Sequence, residues 1–140
     1  MTATANAINP ALQPTAFSYH PVNDFAAISL VGVTPLVLVV HPSVPARNLA
    51  DLVAWVKANP GKHSFGTYGP GTSAHLQGEL LNMQTGMDLM HVPYQGAAPL
   101  VTAMLGGQLS TAFMDAGSSR QHFRKFKLLG VTGSERLSWL

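Results

Sequence analysis

The residues that most invite chemistry lie in Gly66-Thr67-Tyr68-Gly69-Pro70-Gly71-Thr72-Ser73-Ala74-His75. A glycine-rich loop ahead of a helical pattern lets backbone N–H groups converge at the helix N-terminus. There the orphan donors and the positive end of the dipole attract an anion. Thr72 and Ser73 add hydroxyl donors, so carboxylate or phosphate binding is the chemistry on offer, with Gly69, Gly71, Thr72, Ser73 and His75 as candidate contacts. A tight turn capped by Thr72 or Ser73 accounts for the same residue types apart from the third glycine. A second turn, His91-Val92-Pro93-Tyr94-Gln95-Gly96, precedes a helix starting near Ala97 and sets another helix N-terminus on the same edge. Two converging anion sites suit an elongated carboxylate. Tyr94 offers an aromatic wall with a hydroxyl, or a structural ring. Asp115, directly after a strand, is a further lining candidate, or the start of an Asx turn ahead of Ser118.

Other chemistries find less support. Gly69-x-Gly71-x-x-Ala74 matches the dinucleotide fingerprint, which keeps an NAD- or FAD-binding enzyme domain as the alternative. The ribose-holding acid belongs at the carboxyl end of the next strand, but the nearest candidate, Asp88, precedes that strand. No Lys follows the glycines as a phosphate-binding Walker loop requires. His75 and Glu79 share a helical face and offer two metal ligands, with His91 or His63 as a third, yet no second His pair and no Cys supports a closed site. Ser73 lacks the Gly-x-Ser-x-Gly elbow of a nucleophile. The expectation is no catalytic residue, no metal and no cofactor.

These loops need elements to hold them. Residues up to Asp24 carry Pro10, Pro14 and Pro21 with little periodicity, and read as an irregular lead-in. Two short apolar runs, 26–31 and 36–40, predict buried strands. Asn48 caps a helix bearing Leu49, Leu52, Val53 and Val56, which Asn59-Pro60-Gly61 stops. The pattern then alternates: strand 63–65, helix 73–84, strand 89–92, helix 97–105, strand 109–114, a short helix from Ser118-Ser119 to Phe123, and strand 127–132. Such alternation predicts an α/β fold with a mixed, mostly parallel sheet flanked by helices, binding its ligand at the carboxyl ends of the strands. The predicted division is 1–25 as lead-in and 26–140 as one α/β lobe.

Composition narrows the classes. The chain has 140 residues, 46% of them hydrophobic and 10% charged, with a formal net charge of +2. That is one domain with enough apolar content to fold. The longest apolar run, 36–40, is far below the ~18 residues of a membrane span, and the first residues lack the pattern of a signal peptide. Apart from Arg120, Arg124, Lys125 and Lys127 the basic residues are scattered, so no nucleic-acid partner is expected. Zero Cys excludes disulfides and thiolate chemistry.

Several ordered blocks carry a resemblance. Asn6-Ala7-Ile8-Asn9-Pro10, Val22-x-Asp24-Phe25-x-x-Ile28-Ser29-Leu30-Val31-Gly32, Leu38-Val39-Val40-His41-Pro42, Ala58-Asn59-Pro60-Gly61-Lys62, His91-Val92-Pro93-Tyr94-x-Gly96 and Leu105-Gly106-Gly107-Gln108 together resemble the Bug family. These are the substrate-binding receptors of tripartite tricarboxylate transporters. The resemblance implies one lobe of a periplasmic, two-lobed solute receptor of the Venus-flytrap type, with a type II periplasmic-binding-protein sheet. Such a receptor captures a small carboxylate for membrane permease subunits and is not an enzyme. It implies ligand contacts from Gly69 to His75, above all Thr72 and Ser73, and from Tyr94, Gln95 and Gly96, where Gln95 replaces the family's usual Lys. Asp115 fits a Phe-x-Asp variant through Phe113. It further implies that the signal peptide and most of a first lobe lie outside this chain, leaving an inter-lobe seam through which the lobe could self-associate.

Overall fold

Leu36–Val40 (β1) points its side chains alternately into two apolar clusters, which is why five consecutive residues are all buried. Leu36, Leu38 and Val40 pack with Leu52, Val56, Phe65 and Phe113 on one face of the sheet. Val37 and Val39 pack with Leu100, Met104, Ala112 and Met114 on the other. A strand apolar on both faces must be internal, with helices covering each side.

The computed structural model describes residues 4–117 and 119–138. After α1 (Ala5–Leu12) and β1 come α2 (Leu49–Lys57), β2 (Ser64–Thr67), α3 (Ser73–Thr85), β3 (Met90–Pro93), α4 (Ala97–Leu105), β4 (Thr111–Asp115), a 3-10 helix (Arg120–Lys125) and β5 (Lys127–Val131). The strands form one sheet in the order β3-β2-β4-β1-β5. β2 runs parallel to β3 and β4, whereas β1 runs antiparallel to β4 and β5. The α/β lobe is therefore mixed, as expected: β1 is the reversed strand, inserted between β4 and β5. Residues of α2 and α3 enter one apolar cluster, those of α4 and the 3-10 helix the other.

Local chemistry sets the ends of the helices. Asn48 Oδ1 accepts from Asp51 N at 2.9 Å, and Asp51 Oδ2 accepts from Arg47 N at 3.0 Å, so cap and first turn of α2 hold each other. Gly86, at φ 66°, closes α3 in the left-handed conformation that glycine adopts without penalty. Gly78 lets α3 lie directly on the Phe65 ring of β2, because any Cβ there would enter the ring. The short helix expected from Ser118-Ser119 is the 3-10 helix, and Ser119 gives it no side-chain cap; Ser118 lies outside the described residues.

Two expectations fail. Residues 26–31 are not a buried strand: Ile28, Leu30 and Val31 are 99%, 79% and 83% exposed, and no strand is formed there. β1 is paired on both sides by β4 and β5, and among the described residues the segment pairs with neither edge strand, β3 or β5. The opening segment is less irregular than its prolines suggest, since α1 carries Pro10 inside it. Proline lacks the N–H that would bond the Asn6 carbonyl. The Tyr19 hydroxyl donates to that carbonyl instead, at 3.1 Å. Tyr19 in turn meets Phe17 and Phe25 edge-on, with ring centroids 5.8 and 5.5 Å away.

Candidate functional site

β2, β3 and β4 are parallel, so Thr67, Pro93 and Asp115 end at one edge of the sheet and their loops gather there. Thr67 is fully buried, and its Oγ1 accepts from Gly69 N at 3.2 Å, starting the turn of the glycine-rich loop. Thr72 closes the loop. Its hydroxyl donates to Gly69 O at 2.8 Å and accepts from His75 N at 3.3 Å, which makes it the N-cap of α3. The N–H groups of Ser73 and Ala74 and the Ser73 hydroxyl have no hydrogen-bond partner among the described residues. They are the orphan donors that a helix start presents to an anion. Gly71, at φ 71°, is buried, and the Asn9 carboxamide of α1 fills the space a side chain would need.

Histidines support the loop from below. His75 Nδ1 accepts from Gly71 N at 3.3 Å, and its Nε2 lies 3.6 Å from Glu79 Oε1. An accepting Nδ1 means that the ring's proton sits on Nε2, facing the Glu79 carboxylate. His75 stacks on His91 with centroids 4.1 Å apart, and His91 stacks on Phe65 at 5.0 Å. His91 Nε2 also meets Thr67 Oγ1 at 2.7 Å. Burial, and then the neighbouring His75, hold the His91 imidazole below its ordinary value. The rings of His75 and His91 present faces rather than converging nitrogens. Among the described residues no three His, Asp or Glu form a metal-holding group.

The second turn joins the first. Tyr94 N donates to Thr67 O at 2.9 Å, and Gly69 lies against the Tyr94 carbonyl. The Tyr94 ring packs into the α4-side cluster, while its hydroxyl has no partner among the described residues. Gly96, at φ 105°, is the N-cap of α4 and supplies no side-chain acceptor, and Pro99 removes one N–H from the first turn. The Ala97 and Ala98 N–H groups stay unpartnered among the described residues. Gln95 is exposed.

Asp115 is tied down by a residue that the sequence reading missed. The Tyr68 hydroxyl accepts from Asp115 N at 2.8 Å, donates to Asp115 Oδ2 at 3.0 Å and lies 3.3 Å from Ser119 Oγ. Burial, foremost, pushes the Tyr68 phenol up. This clamp joins the glycine-rich loop to the turn after β4. Just beyond it lies a cleft of about 500 Å³ lined by Gly117, Arg120, Gln121 and Arg124. Nothing in the spacing announced Tyr68, whose partner is 47 residues away. The arginines stood out only as part of a basic cluster.

The structure thus brings Gly69, Gly71, Thr72, Ser73, His75, Tyr94, Gly96 and Asp115 to one edge, with Gln95 outermost. Thr72, His75 and Asp115 hold the loops in shape, whereas Ser73 and the two helix starts present open donors. The dinucleotide fingerprint does sit in a strand–loop–helix–strand unit, but Asp88 lies at the amino end of β3, away from this edge, and Asn9 crowds Gly71.

Residues 1–140 match the family described as the tripartite tricarboxylate transporter family receptor. The chain belongs to this receptor family. BugT of Bordetella pertussis is 33% identical over 93% of this chain and 40% of its own length. A solved periplasmic transporter is 34% identical with a TM-score of 0.89, over 97% of this chain and 47% of its own. R. palustris Rpa4515, solved with adipate, is 28% identical with a TM-score of 0.76, over 84% of this chain and 40% of its own. This family member spans 36–40% of the length of the first curated relatives it matches.

Proposed function

We propose that this family member is the ligand-binding lobe of a periplasmic receptor that captures a small carboxylate and hands it to the membrane permease of a tripartite tricarboxylate-type transporter, without catalysing a reaction. Residues 26–140 form the lobe and 1–25 the crossover leading into it. The carrying observation is the pair of helix starts, α3 and α4, whose unpartnered N–H groups open on one strand edge with the Ser73 hydroxyl beside them. Family membership and the adipate bound by a relative support the carboxylate class. Gly69, Gly71, Thr72 and His75 shape the first jaw, Ser73 donates from it, and Tyr94, Gln95 and Gly96 form the second, with Asp115 fixing Tyr68 between them.

Donors from one side only make for weak binding. Each hydrogen bond to a charged group that a single lobe does not supply forgoes ~1.5 kcal/mol, about tenfold in affinity. Amide chemical shifts of the isotopically labelled chain, titrated with adipate, follow such binding. Shifts at 69–75 and 94–98 are expected. Shifts elsewhere alone, or none at saturating acid, would refute the assignment.

A further inference from the structure

Resting on that reading, we infer that the stacked His75–His91 pair is a proton gate on the carboxylate site: the glycine-rich loop keeps its binding shape only while both rings are neutral, with Thr67 and His91 as positioning residues. The loop hangs on two imidazole lone pairs. Gly71 N donates directly to His75 Nδ1 at 3.3 Å. Gly69 N donates to Thr67 Oγ1 at 3.2 Å, and that oxygen in turn meets His91 Nε2 at 2.7 Å. A hydroxyl has one hydrogen to give. The other acceptor within reach, Gly69 O, is 3.4 Å away and already takes the Thr72 hydroxyl at 2.8 Å. The Thr67 hydrogen therefore goes to Nε2, and His91, like His75, serves as an acceptor. Burial, and then His75, hold the His91 imidazole below its ordinary value, which keeps it one at neutral pH.

One added proton turns an acceptor into a donor. On His75 it sets an N–H against the Gly71 N–H, and the loop loses that anchor. On His91 it turns the Thr67 hydroxyl back toward Gly69 O, the carbonyl that the α3 cap Thr72 already uses. Either position disturbs the turn leading to the Ser73 and Ala74 N–H groups. The rings stack with centroids 4.1 Å apart, so a second proton would meet a like charge, and the first is enough to act. The new charge is turned away from the ligand, because Glu79 Oε1 lies 3.6 Å from His75 Nε2 and offsets it. From α3 it is Glu79 that faces the pair. β2 presents Phe65 and Thr67, and α1 presents Asn9 at Gly71, none of them charged. His75 and His91 are also the only basic side chains in residues 66–98, so no permanent cation of these two loops masks the change.

The test follows the imidazole and amide signals of the native chain from about pH 8 to 5, free and saturated with adipate. Ligand and proton weaken each other by the same factor, so a gate of this sign makes adipate drive protons off the pair. The apparent midpoints of His75 and His91 should fall on saturation, by about one pH unit if the protonated pair binds tenfold more weakly. Those of His20, His41 and His122 should not move. In the free chain the Gly69 and Gly71 amides should titrate with the two rings. His91→Gln, whose carboxamide oxygen accepts from Thr67 without titrating, should flatten the Gly69 titration. Midpoints unmoved by adipate would overturn the gate while leaving the carboxylate receptor standing. So would midpoints raised by adipate, as an imidazolium attracting the ligand would give, loop amides indifferent to the ring titration, or an undiminished Gly69 titration in folded His91→Gln. Adipate shifting neither 69–75 nor 94–98 at neutral pH would instead overturn the receptor reading, and the inference with it.

Discussion

Thr72 and Ser73 are adjacent hydroxyls with separable duties. Thr72 is bound into the loop on both sides, so Thr72→Val should cost about 1 kcal/mol through the lost cap. Ser73→Ala should leave stability within ~0.5 kcal/mol and weaken carboxylate binding instead. Urea unfolding combined with the adipate titration distinguishes the two. The tyrosines divide in the same way. Tyr68→Phe leaves Asp115 N–H without its acceptor and should cost about 1–3 kcal/mol, whereas Tyr94→Phe removes a hydroxyl with no partner among the described residues and should fall within ~0.5 kcal/mol. Histidine titration adds a pH dependence. His91 is held low by burial and then by His75, and His63, stacked 3.7 Å from Trp55, is held low by burial and then by Lys62. Both fold with an imidazole pKa below the ordinary 6.5. Between that value and the depressed folded values the unfolded chain binds more protons, so this stability is complete above 6.5 and is lost as the pH falls. The urea midpoint should drop between pH 7.5 and 5.5, and the drop should shrink in His63→Asn/His91→Asn.

At the scale of elements, the close approach of α3 to β2 reverses an ordinary rule. Gly→Ala within a helix normally stabilises by about 1 kcal/mol. At Gly78 the new methyl would run into the Phe65 ring, which His91 stacks against, so Gly78→Ala should destabilise by about 1–3 kcal/mol. Thermal melts of Gly78→Ala, Phe65→Leu and the double variant form a cycle. The double variant should be more stable than the two single losses predict, because the smaller side chain makes room for the methyl.

For the whole molecule the telling feature is the extended stretch ahead of β1. Ile28, Leu30, Val31 and Val33 are each 79–99% exposed, and the stretch joins no strand of the sheet. An apolar strand-like segment without a partner drives association. Sedimentation equilibrium of the chain should show concentration-dependent self-association that Ile28→Ser/Leu30→Ser abolishes. The thermal midpoint of dilute protein should not change, since neither side chain is packed.

Sequence alone determined what depends on near neighbours along the chain. The cap Asn48, a cap at Thr72 or Ser73 that the structure gives to Thr72, the stop at Gly86 and the strand–loop–helix rhythm follow from groups reaching backbone a few residues away. Sequence likewise determined the edge of the sheet where the glycine-rich loop and the Tyr94 turn meet, because parallel strands place their following loops together. What sequence could not determine was set by contacts between distant residues. The 26–31 run has strand composition, but whether a strand forms depends on pairing with a distant strand, and among the described residues none pairs with it. Tyr68 reads as one more loop residue until folding brings Asp115 to its hydroxyl. Arg120 and Arg124 read only as part of a basic cluster until the turn after β4 sets them around a cleft. Only tertiary structure decided these three, because each depends on which strands lie side by side.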